Sequence, residues 1–172
     1  DSDDVCRAQR LERQVAFMDA HRDLDACGSL VRIVRREPGG GQVPPLQGYL
    51  DYECWLNSVT DAEAIAAQRF VDSPIANPCA MIRRGVLDKL GGYREVPWAE
   101  DYDFWLRFWE DGGRMAKVTD VLLDWYDSDS RLTRNDEHYS QRKFLEAKAH
   151  YLARLPRLQE RGVEICGAGP IG

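Results

Sequence analysis

The chain has 172 residues, of which 44% are hydrophobic and 30% charged, a balance typical of a globular, water-soluble domain. Its net charge of −6 argues against nucleic acid as a partner, because phosphate binding requires a basic face. No apolar run approaches the ~18 residues that a membrane span requires. The five cysteines show no CxxC spacing, which predicts buried free thiols rather than a zinc site or a disulfide framework.

The first half of the chain predicts one helix, one strand and a loop. A helix is expected over 7–21, where apolar residues recur at spacings of four and three, at Leu11, Val15 and Met18. A strand is expected over 26–34. The Gly/Pro-rich segment 37–45 is a predicted loop.

The second half alternates helices and strands. Asp61 is a suitable N-cap for a helix, and Gly91-Gly92 would end a helix over 84–90. The remaining predicted elements are a short strand over 79–82, an aromatic helix over 100–110, a strand over 115–125 and a helix over 136–161 with a break at Pro156. This alternation predicts the α/β class.

An acidic cluster opens the chain, at Asp1-Ser2-Asp3-Asp4. Neighbouring carboxylates repel one another unless a cation offsets their charge. Oxygen ligands of this kind suit Mg²⁺ or Mn²⁺. The alternative interpretation is a solvated acidic end, or a cap for the helix that follows.

A second acidic cluster opens the aromatic helix, where Trp98 and Ala99 precede Glu100, Asp101 and Asp103. One of these carboxylates would face a cleft as a general base, and Trp98 would present a flat apolar ring to a sugar. The alternative is structural, since the helix dipole favours acids in a first turn and aromatic residues at helical spacing usually form core.

Taken together, these motifs resemble the family 2 glycosyltransferases of GT-A fold. The resemblance covers about residues 1–135 and depends on the order and spacing of several loose motifs: Asp1-Ser2-Asp3-Asp4, 77–84, Leu90-Gly91-Gly92-Tyr93-Arg94, 99–107, 121–126 and 131–133. It implies a partial GT-A domain, with a mixed sheet and flanking helices, that lacks the N-terminal nucleotide-binding half.

The resemblance also implies a role for each matching residue. Asp3 would bind the metal, Mn²⁺ or Mg²⁺, that bridges the donor diphosphate, with Asp1 and Asp4 nearby. Asp101 would be the base that deprotonates the acceptor hydroxyl in an inverting displacement, and Glu100 would support it. The acceptor would lie against Gly91, Gly92 and Trp98.

The chain departs from the family pattern in two places. Many members carry a basic residue directly after an aromatic one near the diphosphate, whereas Trp125 is followed here by Tyr126 and Asp127. Arg131 or Arg134 would have to supply that charge. The nucleotide-binding strands that precede the family's DxD motif, which corresponds here to Asp1-Ser2-Asp3, are also missing. The sequence is therefore expected to be a fragment that is inactive alone.

The tail carries a third motif, a short apolar strand that runs into Gly167-Ala168-Gly169-Pro170-Ile171-Gly172. A GxGxxG sequence after a strand resembles the start of a Rossmann unit. The expected organisation is a transferase domain over 1–135, a linking helix over 136–161 and a truncated Rossmann-like start over 162–172. Taken alone, the tail is also compatible with a nucleotide-dependent oxidoreductase.

The sequence thus predicts an inverting transferase that moves a sugar from a nucleotide-sugar donor to a glycan, lipid-linked or protein hydroxyl acceptor. A non-catalytic binding module of GT-A shape is the alternative. The expected location is the cytoplasm, including the inner face of the membrane.

Overall fold

The computed structural model describes residues 3–36, 41–127, 136–162 and 164. The strands are β1 (Val5–Cys6), β2 (Ala26–Arg36), β3 (Gln42–Val43), β4 (Met81–Ile82) and β5 (Met115–Asp127). The helices are α1 (Arg10–Ala20), α2 (Gln47–Ser58), α3 (Ala62–Gln68), α4 (Arg84–Leu90), α5 (Glu100–Glu110), α6 (Gln141–Leu152) and α7 (Pro156–Arg161), with 3₁₀ turns at Asn77–Cys79 and Glu137–Tyr139.

The strands form one mixed sheet in the order β1-β5-β2-β3, and β4 also pairs with β2. β2 and β5 are parallel, from Ala26 opposite Met115 to Arg35 opposite Asp127. The short strands β1, β3 and β4 pair antiparallel to these two. A mixed sheet with flanking helices agrees with the α/β class expected from the sequence.

The core lies between the sheet and the aromatic face of α5. Phe104, Trp105 and Phe108 are fully buried and pack in one cluster with Val31 of β2 and Leu123 of β5. Rings of this size each bury roughly 150–250 Å². They therefore fix α5 against the two central strands.

One edge of β2 is covered by side chains of α2 instead of a strand. Asn57 bonds both polar groups of Val31, accepting from its N–H at 3.0 Å and donating to its carbonyl at 2.8 Å. The Glu53 carboxylate accepts from the N–H of Ile33. These bonds satisfy the backbone of β2 between its pairings with β4 and β3.

One sequence expectation about helices was wrong, and one helix was not predicted. Leu11 and Val15 are 68% and 50% exposed, so they do not form the buried face of α1. That face contains Met18 and the polar Gln14, whose side-chain amide donates to the carbonyl of Cys79 at 2.7 Å. α2 had no counterpart among the predicted elements.

The cysteine prediction holds for only part of the chain. Cys27 and Cys79 are buried free thiols, whereas Cys6 and Cys54 are free but exposed. Burial raises the pKa of the Cys27 thiol to about 12, so the neutral thiol is its form in the fold.

The predicted helix over 136–161 is two helices, α6 and α7, separated near Pro156 as the proline suggested. The GxGxxG tail lies outside the described residues. Among the described helices, none is both long and apolar enough to span a bilayer.

Gly113, in the turn between α5 and β5, should tolerate no side chain. A Cβ there would lie 2.7 Å from the Phe108 carbonyl oxygen, a backbone atom that cannot rotate away. We expect Gly113→Ala to lower the free energy of unfolding by about 1–3 kcal/mol in urea titrations. Gly85→Ala is the matched control, since nothing lies within 4 Å of its Cβ position. Equal stability of the two variants would contradict the prediction.

Candidate active site

The amino end of α5 points toward the carboxyl ends of the parallel strands. At the amino ends of these strands, the N–H of Asp25 before β2 donates to the carbonyl of Arg114 before β5 at 2.8 Å. α5 enters β5 at this amino end through the turn at 111–114, so the first residues of α5 lie toward the carboxyl ends of the strands. Ligands of open α/β sheets bind at the carboxyl ends of the strands.

Asp101 lies in the first turn of α5 and is partly buried. Burial raises the pKa of its carboxyl to about 6; the N–H of Tyr102 works against this rise, and the charge of Glu100 adds to it. A carboxyl with this pKa is ionised at neutral pH but accepts a proton far more readily than an exposed aspartate.

The pKa of Asp103, two residues later, is shifted in the opposite direction. Asp103 is fully buried and accepts hydrogen bonds from both arginines beside it, from an indole and from a phenol: Arg94, Arg107, Trp98 and Tyr151. Burial acts to raise its pKa, but these bonds more than offset burial and hold the pKa at about 2. Asp103 is therefore charged at neutral pH and anchors the helix through these bonds.

Tyr93 forms an aromatic wall beside Asp101. Its hydroxyl donates to the side-chain oxygen of Asn77 at 3.0 Å, and the indole N–H of Trp105 donates to the same oxygen at 3.2 Å. Burial raises the pKa of Tyr93, and the charges of Asp101 and Glu100 add to the rise. The Tyr93 ring is nonetheless half exposed, which leaves it available to a ligand.

Glu100 is exposed and points to a different partner from Asp101. The hydroxyl of Tyr139 donates to both of its carboxylate oxygens, at 2.8 and 3.0 Å. Burial raises the pKa of Tyr139, and the neighbouring Asp101 and Glu100 charges add to this rise. Tyr139 therefore remains a hydrogen-bond donor that fixes Glu100 next to Asp101.

The Gly91-Gly92 turn is fastened to α5 by one guanidinium. Both glycines have positive φ, +73° and +69°, and Gly91 caps the end of α4 as expected from the sequence. Arg107 donates to the carbonyls of Leu90 and Gly92, each at 2.7 Å, while it also binds Asp103. The predicted acceptor turn thus has a fixed position relative to the helix that carries Asp101.

Trp98 lies on the Asp103 side of α5. Its indole N–H donates to Asp103 at 3.1 Å, and its ring lies 5.3 Å from that of His150, centroid to centroid. These contacts hold Trp98 next to Asp103 and His150. Its predicted contact with an acceptor stays a prediction.

The acidic cluster at the start of the chain is described only in part. Asp1 lies outside the described residues, Asp3 is exposed, and Asp4 accepts from the N–H of Tyr126 at 2.9 Å. Asp4 is thereby held at the carboxyl end of β5. No group of three potential metal ligands occurs among the described residues. The exposed carboxylate of Asp3 nonetheless fits Mg²⁺, which proteins commonly hold with one or two carboxylates and substrate phosphates.

Two further predicted residues, Arg131 and Arg134, lie outside the described residues. Tyr139 and Asn77 are the site residues to which the sequence assigned no role. Asn77 belongs to a motif of the resemblance. No local signal marks Tyr139, because only the tertiary fold brings it to Glu100.

Comparison with known proteins gives several relatives that are named as glycosyltransferases. The chain is 28% identical over 123 residues to the amylovoran biosynthesis glycosyltransferase AmsE of Erwinia amylovora, covering 72% of the chain and 41% of the relative. It is 30% identical over 145 residues to EpsE of Bacillus subtilis, which is also named as a glycosyltransferase, covering 81% of the chain and 46% of the relative. A UDP-Gal:alpha-D-GlcNAc-diphosphoundecaprenol beta-1,3-galactosyltransferase of Escherichia coli is 25% identical over 124 residues, covering 72% of the chain and 41% of the relative.

These relatives support a glycosyltransferase family for the chain. The chain spans less than half the length of each of the three relatives. No protein-family model matches it.

Proposed function

Since its relatives are glycosyltransferases, we propose that the chain is the acceptor-side part of a family 2 glycosyltransferase domain in which Asp101 is the general base. The domain transfers a sugar from a nucleotide-sugar donor to a hydroxyl acceptor with inversion. The proposal applies to the full-length protein, because the chain spans less than half the length of the relatives it matches.

The contrast between Asp101 and Asp103 carries this proposal. Two carboxylates in one helical turn have pKa values of about 6 and about 2. Asp101 is partly buried and has few hydrogen-bond donors, whereas the fully buried Asp103 receives hydrogen bonds from four side chains. Environments that separate the pKa values of neighbouring acids are typical of assigned acid–base roles. Asp103 is too acidic to take a proton, and Asp101 is suited to take one.

In the proposed reaction the acceptor hydroxyl gives its proton to the carboxylate of Asp101. The hydroxyl oxygen forms a bond to the anomeric carbon of the donor sugar while the bond from that carbon to the nucleoside diphosphate breaks on the opposite face. The electron pair of the broken bond leaves with the diphosphate. One displacement of this kind inverts the anomeric centre.

The residues of this chain orient the acceptor and tune the base. Tyr93, fixed by Asn77, provides a half-exposed ring on which a sugar can lie. Burial raises the pKa of Asp101, and the charge of Glu100, which Tyr139 holds in place, adds to that rise. Asp3 and Asp1 would hold a divalent cation, Mn²⁺ or Mg²⁺, which when bound offsets the charge of the leaving diphosphate.

The relatives' names also suggest the acceptor class. One relative is named for a diphosphoundecaprenol-linked acceptor and another for amylovoran biosynthesis. We propose a glycan or a lipid-linked saccharide as the acceptor and a cytoplasmic site of action, at the inner face of the membrane for a lipid-linked one.

Nucleotide binding tests the predicted metal site. Titration calorimetry of the full-length protein with uridine, guanosine and thymidine diphosphates should show binding to one of them that requires Mn²⁺ and disappears with a chelator. Asp3→Asn should weaken that binding at least about tenfold, since it removes a ligand. Asp19→Asn, an exposed aspartate of α1, is the matched control.

Equal binding by both variants would remove Asp3 from the metal site. Absence of any Mn²⁺-dependent nucleotide binding would instead favour the non-catalytic binding module. A transfer assay with nucleotide sugars and glycan acceptors then separates binding from catalysis.

A further inference from the structure

The side-chain amide of Asn77 lies between the core and the half-exposed ring of Tyr93. Its oxygen accepts two hydrogen bonds, from the Tyr93 hydroxyl at 3.0 Å and from the Trp105 indole N–H at 3.2 Å. An indole N–H can only donate, so the amide atom that faces Trp105 is the oxygen. The orientation of the amide is thereby defined, and its NH₂ group is not used by these two partners.

This NH₂ group is an accessible hydrogen-bond donor. Within residues 3–36, 41–127, 136–162 and 164, no group accepts a hydrogen bond from it. The NH₂ group is not buried either, since Asn77 is only half-buried and its nitrogen is in contact with solvent. A donor in this position takes a water or a ligand oxygen as its partner.

The backbone of Asn77 is held in place by the core. The N–H of Ala80 donates to the Asn77 carbonyl at 3.1 Å and closes the 3₁₀ turn over Asn77–Cys79. Cys79 is fully buried, and its carbonyl accepts from the Gln14 amide at 2.7 Å. The NH₂ donor is therefore positioned before any ligand binds, which lowers the entropic cost of binding.

Asn77 contacts the face of α5 that carries Asp101. Trp105 follows Asp101 by four residues, and side chains at this spacing lie on the same face of a helix, one above the other. Helical side chains also lean toward the amino end, which brings the Trp105 ring toward the turn of Asp101. Burial raises the pKa of Tyr93 and the charge of Asp101 adds to the rise, so the same carboxylate is also near the second partner of Asn77.

We propose that the NH₂ group of Asn77 donates a hydrogen bond to an oxygen of the acceptor saccharide, next to the hydroxyl that Asp101 deprotonates. Asn77 is then a residue that determines acceptor specificity. The contacted oxygen is not the attacking one, because a donated hydrogen bond would withdraw the electron pair that forms the new bond. The acceptor is accordingly a saccharide with a second oxygen beside its reacting hydroxyl. The identity of the ligand as an acceptor rests on the proposed transferase function.

Ligand-observed NMR titrations of the full-length protein test this contact without sugar transfer. The probes are the methyl glycosides of glucose, galactose and N-acetylglucosamine, with Mn²⁺ and uridine, guanosine or thymidine diphosphate present. For the glycoside that binds most tightly, analogues that each lack one hydroxyl identify the contacted oxygen. At least one deoxy analogue should bind about threefold to tenfold more weakly than its parent glycoside, as expected for the loss of one neutral hydrogen bond.

Asn77→Asp separates the donor from a structural role. The carboxylate keeps an oxygen for the bonds from Tyr93 and Trp105, but it replaces the NH₂ donor by a second oxygen. A purely structural role predicts unchanged binding. Loss of the donor should weaken binding of the parent glycoside by about tenfold and of the contacted deoxy analogue by less than about twofold. A general effect of the new charge would weaken both equally.

Two further variants complete this test. Gln9→Glu makes the same amide-to-carboxylate change at an exposed residue and should bind as the unmodified protein does. Asn77→Ala removes the donor without adding a charge, and its discrimination between parent and deoxy glycoside should also fall below about twofold. The proposal is overturned if none of the glycosides binds, if Asn77→Asp binds the parent normally, or if no analogue loses its discrimination in both Asn77 variants.

Transfer assays with nucleotide sugars and the same glycosides distinguish this proposal from the transferase function. Saccharide binding that depends on the Asn77 donor, without any transfer, would support the contact and refute the transferase. Transfer in which Asn77→Asp leaves the KM for the glycoside unchanged would support the transferase and refute the contact.

Discussion

Asp101→Asn should abolish sugar transfer by the full-length protein while it makes the fold more stable. Loss of a general base typically costs 10²- to 10⁴-fold in rate, and the amide cannot accept the proton. We expect kcat to fall by about that factor and Mn²⁺-dependent nucleotide binding to be retained. Asp51→Asn, an exposed aspartate of α2, is the control and should transfer sugar normally.

The gain in stability follows from the raised pKa of Asp101. A folded-state pKa of about 6 against 3.8 means that the folded protein disfavours the charged form. This penalty is absent below pH 3.8, grows as the pH rises toward 6 and is constant above that. At pH 7.5 it is roughly 2–3 kcal/mol, which the variant should regain in urea unfolding.

The same pKa sets the pH dependence of transfer by the unmodified protein. Activity should rise with pH through about 6 as Asp101 becomes ionised. If Asp101→Asn transfers sugar at the normal rate, another group is the base. Loss of stability instead of gain would show that Asp101 has a structural role.

Asp103→Asn should have the largest effect on stability. The amide would leave Arg94 and Arg107 without their buried counter-charge, and breaking a buried pair in this way costs about 3–5 kcal/mol. Urea unfolding at pH 7 should show this loss. Asp88→Asn breaks an exposed arginine–aspartate pair with Arg84 and should cost no more than about 1 kcal/mol.

The pH dependence of this contribution has the opposite sign to that of Asp101. The folded-state pKa of Asp103 is lowered from 3.8 to about 2, so its stabilisation is complete above pH 3.8. It is lost as the pH falls through about 2. If Asp103→Asn and Asp88→Asn unfold at the same urea concentration, the anchor assignment is wrong.

The long elements could be predicted because their signals are local. The aromatic period of α5 and the apolar runs of β2 and β5 are visible in the sequence, and the structure confirms all three. α2 was missed because its sequence contains Gly48 and ends in Asn57-Ser58, residues that are poor helix formers. The tertiary fold stabilises it instead, through the burial of Leu56 and its bonds to β2.

In the candidate site, too, local features could be predicted and tertiary contacts could not. The sequence identified the acids of α5 as one cluster, and the resemblance selected Asp101 among them. The different pKa values of Asp101 and Asp103 depend on Arg94, Tyr151 and burial, which the spacing of residues does not encode. Tyr139 joins Glu100 only because the chain returns after β5. The metal assignment of Asp1 and Asp3 remains a prediction.

The α2 side chains that cover β2 have a consequence for the behaviour of the protein in a crowded cell. An open strand edge offers a row of unpaired backbone groups on which a strand of another chain can add, which is a common start of aggregation. Asn57 and Glu53 occupy those groups at Val31 and Ile33. A side-chain seal of this kind prevents strand addition at the centre of the sheet without adding a strand of its own.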